Sequence, residues 1–147
     1  MTRIAKRPPL GAFTLASDRW TEPFWDAAEE HRLTCARCGA CGHFRMPPTP
    51  FCPVCRSQSI EWPTLPGTGT LYSYTIVERA TLPGTEHTIP YVPAVVTLDG
   101  ADGRRMVTNI VDSAIDAVRI GAPVHVVFDT LEDGTVIPRF RLGESAA

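Results

Sequence analysis

No stretch of this 147-residue sequence approaches the roughly 18 consecutive apolar residues of a membrane-spanning helix, which excludes a helical transmembrane role. The basic start, Met1 to Lys6, is followed by no apolar segment, so no secretory signal is expected and a reducing cytoplasm is. Charge of one sign is also missing: a net charge of −2 leaves no electrostatic footprint for a phosphate backbone. There is no internal repeat and no low-complexity run. With 20% charged and 44% hydrophobic residues, the chain is neither an acidic disordered tail nor a fibre. Residues 67–142 hold no cysteine, and the odd total of five cannot close up as disulfides alone.

What is present is concentrated. Proline, at 14 residues, is nearly twice its usual share, and six prolines between Pro47 and Pro66 make that stretch a loop rather than a helix. All five cysteines (Cys35, Cys38, Cys41, Cys52 and Cys55) lie within 21 residues. Composition thus separates an N-terminal arm and helix (1–33), a cysteine-rich segment (34–62) and a strand-rich remainder (63–147).

In the first zone, Thr21 to His31 reads as one short helix. Thr21 is placed to cap it, Glu22 complements the N-terminal dipole, and Pro23 is tolerated in the first turn. Phe24, Ala27, Ala28 and His31 form a narrow apolar face at helical spacing. About three turns are not stable alone in water, so the helix must dock on its own domain or on a partner. Phe13, Leu15, Trp20, Phe24 and Trp25 exceed what so small a domain easily covers, and aromatic anchors commonly form interface hot spots. The arm is therefore expected to lie partly on a partner protein, with Trp20, Phe24 and Trp25 as partner-binding residues.

The third zone has five strand candidates rich in β-branched and aromatic residues: Gly69–Val77, Tyr91–Leu98, Arg105–Val111, Val124–Phe128 and Val136–Leu142. The Asp99–Gly103 cluster and Asp133-Gly134 mark two hairpins, with one helical turn expected over Ser113–Val118 between them. Five strands with a short helical connector after the third fit an OB-fold, a small closed Greek-key barrel. The fold class is therefore mainly β: a helical arm, a cysteine-rich ribbon and a five-stranded barrel.

C-x-x-C supplies two thiolates from one tight knuckle, and two knuckles some ten to twenty residues apart make a zinc ribbon. Cys52-Pro-Val-Cys55 is one knuckle. The other is Cys35-Ala-Arg-Cys38 or Cys38-Gly-Ala-Cys41, since a glycine follows each second cysteine (Gly39 and Gly42). The compact loop before Cys52 favours Cys38, Cys41, Cys52 and Cys55 as the ligands, leaving Cys35 a buried apolar side chain or spare thiol. Four thiolates close the coordination sphere, so the zinc is expected to be structural, contributing on the order of 10 kcal/mol to folding. With metal bound, the formal charge of −2 becomes about −4.

The run Cys41-Gly-His-Phe-Arg-Met-Pro-Pro-Thr-Pro-Phe-Cys-Pro-Val-Cys55 resembles the rubredoxin-like zinc ribbon of the thiolase-associated zinc-ribbon/OB-fold proteins, long catalogued as a domain of unknown function. Upstream, Glu22-Pro-Phe-Trp-Asp-Ala-Ala28 resembles the family's N-terminal helix and Arg32-Leu33 its lead-in strand. Downstream, Gly67–Tyr74, Pro90–Val96, Gly121–Val124 and Pro138–Phe140 resemble its barrel strands. The family's Cys-Gly before the Pro-Pro pair falls on Cys41-Gly42, which implies the ligand set beginning at Cys38; Cys35 departs from the pattern. The resemblance implies a non-catalytic accessory subunit of a thiolase, an acyltransferase or a lipid-transfer-type aldolase. Such complexes act on acyl-CoA in steroid side-chain or aromatic degradation, with the acyl-CoA in a channel shared with the thiolase-like partner.

The residues agree in that no dense His, Asp and Glu constellation is evident. Glu86-His87 lies in a Pro/Gly-bounded loop long enough to reach a ligand or partner, and His125 lies mid-strand. A single-stranded nucleic-acid module is the competing reading, with Tyr72, Tyr74 and Tyr91 as stacking platforms. Against it, the net charge is negative and Arg104-Arg105 is the only adjacent basic pair of the barrel region. Arg79, Arg104 and Arg105 are equally placed to face the phosphates of CoA.

Overall fold

The computed structural model describes residues 2–10 and 14–144. Phe13 of the aromatic arm lies outside the described residues. Helix α1 spans Glu22–Glu29, shorter at both ends than its apolar pattern suggests. Thr21 occupies the N-cap position without capping: Asp18 Oδ1 instead accepts from the amides of Trp20 and Thr21, at 2.9 and 3.0 Å. The helix stops because His31 turns left-handed (φ 57°), letting the Arg32 amide reach Ala27 O and the His31 amide reach Ala28 O, both at 2.9 Å. That is a Schellman ending with histidine in the place glycine usually takes. The His31 ring then stacks on Phe128 at 5.0 Å.

Strands β1 (Ala36–Cys38), β2 (Phe44–Arg45) and β3 (Ile60–Glu61) form a small sheet in the order β2-β1-β3. The barrel follows with β4 (Thr68–Tyr74), β5 (Val92–Leu98), β6 (Arg105–Ile110), β7 (Pro123–Thr130) and β8 (Val136–Leu142). They close in the order β4-β5-β6-β8-β7, with β4 antiparallel to β7 and β6 parallel to β8. This is the five-stranded OB topology expected from the turn pattern, and its connector is a single 3-10 turn at Ile115–Ala117. Closure requires glycine at position 69, where a Cβ would stand 2.4 Å from Thr97 O and 2.8 Å from Val96 Cγ1. β4 bulges between Leu71 and Ser73, which bends the strand toward both neighbours.

One core serves all three zones. Leu71, Val92, Val96, Ile110 and Phe140 fill the barrel, and the same cluster takes in Phe24 of α1, with Leu33 and Cys35 from the approach to β1. The docking surface of the helix is thus its own domain: Phe24, Ala27 and Ala28 are all buried. Ahead of the helix, Arg3–Lys6 forms a strap. Ala5 exchanges backbone hydrogen bonds with Ser113 O and the Asp112 amide, and the Lys6 amide donates to Pro90 O, all at 2.9 Å. Arg7 completes it, pairing with Asp112 and forking onto both carboxylate oxygens of Asp129 at 3.0 Å. No helix of the described residues is long and apolar enough to cross a membrane.

Candidate functional site

The ribbon brings Cys38, Cys41, Cys52 and Cys55 together, with all four Sγ atoms within 4.8 Å of one another. Cys38–Cys55 and Cys41–Cys52 separations are 3.5 and 3.6 Å. A tetrahedral zinc with Zn–S bonds of about 2.3 Å needs sulfur–sulfur edges of about 3.8 Å, so the cluster has the right size. Each knuckle is a tight turn: the Gly42 amide bonds to Cys38 O and the Arg56 amide to Cys52 O, both at 2.9 Å. Gly42 (φ 79°) and Arg56 (φ 67°) both take the left-handed conformation there.

That geometry settles which glycine belongs to the knuckle. Gly39 is not left-handed; a Cβ there would stand 2.2 Å from Ser59 Oγ and 3.2 Å from Ser59 Cβ, so it packs against an exposed, rotatable side chain rather than supplying a turn. Cys35 is excluded from the cluster because it precedes β1 and faces the shared core, fully buried, with its Sγ 3.7 Å from Arg45 O. Burial pushes its thiol up to about 11, against the opposing effect of Arg104.

Backbone amides aim at the ligand sulfurs. The amides of Cys41 and Ala40 pull the Cys38 thiol down to about 6, each 3.4 Å from its Sγ. The Cys55 and Val54 amides likewise lower Cys52. Cys41 goes the other way, up to about 12: the His43 amide favours its thiolate, but burial and the three neighbouring sulfurs together oppose it. Zinc fits these residues, and its contribution there is structural, crosslinking the two knuckles.

Two features outside the cysteines also shape the centre. Arg45, 3% exposed, donates to Thr49 O at 2.7 Å and to Ser59 O at 3.0 Å, tying the proline loop to the chain entering β3. Nothing in the sequence distinguishes Arg45 from a solvated arginine; its burial follows only once β2 and β3 flank β1. Arg37 forks onto Glu61 across the sheet at 2.9–3.1 Å, a pair that strand registry alone creates.

The expected partner-binding aromatics have different placements. Phe24 packs into the chain's own core at 7% exposure and meets Trp25 edge-on at 5.0 Å, and its remaining surface lines the same groove as Trp25. Trp20 and Trp25 are half-buried, Trp20 under the Arg19 guanidinium at 4.5 Å. Trp25 lines an apolar groove of about 380 Å³ with Met46, Pro47, Pro48 and Met106. Glu86-His87 forms a 3-10 turn, and His87 borders a separate cleft of about 740 Å³ between its loop and the strap at Lys6–Leu10. His125 is engaged by Gly143 O at 3.0 Å. Of the tyrosines, Tyr72 is covered by the Arg105 guanidinium, 3.8 Å from the ring centre. Among the described residues, the four cysteines are the one cluster of His, Cys, Asp or Glu with metal-holding geometry.

Comparison with known proteins agrees with this architecture. Residues 25–61 match the family described as "ChsH2, rubredoxin-like zinc ribbon domain", and residues 62–129 match "ChsH2, C-terminal OB-fold domain". A "Probable enoyl-CoA hydratase alpha subunit" of Thermomonospora curvata is 40% identical over 121 residues, but the chain spans only 36% of that relative's length. A "DUF35 domain-containing scaffold protein" of Methanocaldococcus jannaschii is 34% identical over 128 residues, covering 85% of this chain and 89% of that one. Its counterpart in Methanothermobacter thermautotrophicus is 31% identical, over 77% and 86%. Among solved structures, a chain of an "Ltp2-ChsH2(DUF35) aldolase" superposes with a TM-score of 0.78 at 36% identity, covering 88% of this chain and 98% of that one. A DUF35 protein of Sulfolobus solfataricus shares the fold, with a TM-score of 0.61 at 16% identity over 86% and 87% of the two chains. A four-thiolate ribbon joined to a closed OB barrel, with both family models matching in tandem and scaffold relatives covered over most of their length, establishes that this chain belongs to the DUF35 family of ChsH2-type zinc-ribbon/OB-fold proteins.

Proposed function

We propose that this chain is a non-catalytic accessory subunit that docks on a thiolase-superfamily enzyme (a thiolase, an acyltransferase or a lipid-transfer-type aldolase) acting on acyl-CoA substrates. The observation that carries the reading is the likeness to the ChsH2(DUF35)-type chain of an aldolase named for two components, over nearly the whole of that chain. The residues support it chemically. Four thiolates saturate a tetrahedral ion and leave no position for a metal-bound water, so the zinc holds the ribbon rather than activating a nucleophile. The partner supplies the reacting groups; this chain contributes a rigid surface, with Trp20 and Trp25 as contacts and the acyl-CoA in the shared channel. Steroid side-chain or aromatic degradation is the setting this reading favours, in the reducing cytoplasm where the thiol cluster persists.

The test is co-expression with candidate thiolase-superfamily chains, followed by size-exclusion chromatography and acyl-CoA turnover. Co-elution is expected, with turnover in the complex and none by this chain alone. Replacing Trp20 and Trp25 together by alanine should weaken co-elution while zinc stays at one per chain. Turnover by the isolated chain would refute the accessory role, and an intact complex with an unfolding monomer would assign the tryptophans to the chain's own core.

A further inference from the structure

Strand β6 has one open edge. It pairs with β5 along its whole length, from Val92↔Ile110 to Thr97↔Arg105, but with β8 at the single position Ile110↔Phe140. The Leu98 amide donates to Arg104 O at 2.9 Å, so alternation along the antiparallel pair points the amides and carbonyls of Met106 and Thr108 at β5. Those of Arg105 and Val107 point the other way. The Val111 amide, of the same parity, does reach β8, donating to Phe140 O at 2.9 Å. The ladder goes no further because the amide that would answer the Val107 carbonyl belongs to Pro138, which has none. Val107 is 79% exposed and Arg105 is exposed, so the edge is open at both outward-pointing positions.

The edge borders the apolar groove floored by Phe24, Trp25, Met46, Pro47 and Met106. Trp25 also lines the adjoining cleft, whose acidic residues are Glu22, Asp26 and Glu29 of α1 and Asp133 of the β7–β8 turn. Among the described residues, none of these four acids has an ion-pair partner. The basic residue of the groove, Arg105, stands over Tyr72. Unpaired strand edge, apolar groove and uncompensated acids are therefore contiguous.

We infer that this edge receives an extended segment of the partner enzyme, which adds as a strand at Arg105–Val107, sets apolar side chains into the Trp25 groove and directs Lys or Arg to the acids. Strand addition takes its affinity from main-chain hydrogen bonds and its specificity from alternate side chains. Charge selects the occupant: a second copy of this chain brings the same four acids and repels, whereas a basic segment complements them. The inference rests on the accessory-subunit reading and adds to it the place and chemistry of contact.

Amide hydrogen exchange read residue by residue by NMR on the full chain, free and in the co-expressed complex, tests it. In the free chain Met106 and Thr108 should exchange slowly while Arg105 and Val107 exchange fast. In the complex Arg105 and Val107 should slow by at least about tenfold. Val107→Pro removes only the outward amide, as an edge strand tolerates, and should weaken the complex about three- to tenfold, the worth of one hydrogen bond. Val107→Thr should not weaken it. Asp26→Lys with Glu29→Lys should weaken it and flatten its salt dependence. A complex in which Arg105 and Val107 stay unprotected overturns this inference and leaves the accessory role standing. Protection of the same amides in a homodimer without partner also overturns it. Absence of any complex removes the accessory reading and this inference together. If Val107→Pro unfolds the barrel, the exchange pattern of the unaltered chain still decides.

Discussion

Serine at position 35 and serine at position 38 should have opposite consequences, although the residues differ by three positions and the substitutions are identical. Cys35 is fully buried beside Leu33 in the shared core, with carbonyls at 3.7–3.8 Å as its nearest polar neighbours. A hydroxyl there is desolvated with poorly placed acceptors, which costs about 1–3 kcal/mol. For a chain of this size that corresponds to a fall of roughly 3–9 °C in Tm. Zinc content should remain at one per chain. Cys38→Ser removes one of four thiolates from a site whose metal contributes on the order of 10 kcal/mol, in a ribbon whose strands are two and three residues long. Zinc should drop well below one per chain, and the ribbon should lose its cooperative transition. Metal analysis by mass spectrometry, together with thermal denaturation of both variants, reads the two effects separately. Zinc loss in Cys35→Ser with retention in Cys38→Ser would refute the ligand assignment and the geometric reasoning behind it.

Further outcomes follow from the same contacts. Fully buried and with its thiol pushed up to about 11, Cys35 has about one thiolate in a thousand at pH 8, so after zinc chelation iodoacetamide should label it well after Cys38 and Cys52, about tenfold faster per added pH unit below 11; peptide mapping of the alkylated chain checks the order. Gly69→Ala should cost about 1–3 kcal/mol in urea denaturation, because the new methyl meets the Thr97 carbonyl, a backbone neighbour that cannot swing aside. Arg45→Met should destabilise the ribbon by about 2 kcal/mol by leaving Thr49 O and Ser59 O without their charged donor. Its zinc should pass faster to a chromogenic chelator, and an unchanged transfer rate would show that the proline loop does not need this tie.

Cysteine spacing determined the metal chemistry of this chain, because ligand pairs separated by two residues carry their own turn and need little from the rest of the molecule. Alternation and turn clusters likewise determined five strands in their order, and OB closure follows from few other arrangements. The helix was legible as an element but not in its contacts. An apolar face says that something covers it, and only packing shows that Phe24 is buried in the chain's own core while Trp25 stays half-buried at the groove both residues line. The choice between Gly39 and Gly42 was equally out of reach, since one glycine is set by a backbone dihedral while the other only packs against a side chain twenty residues away. Burial of Arg45, the strap clamped by Arg7 on Asp112 and Asp129, and the open edge of β6 arise from residues far apart in sequence. Local patterns record what a segment must hide or ligate; which partner it meets is decided when the tertiary fold closes.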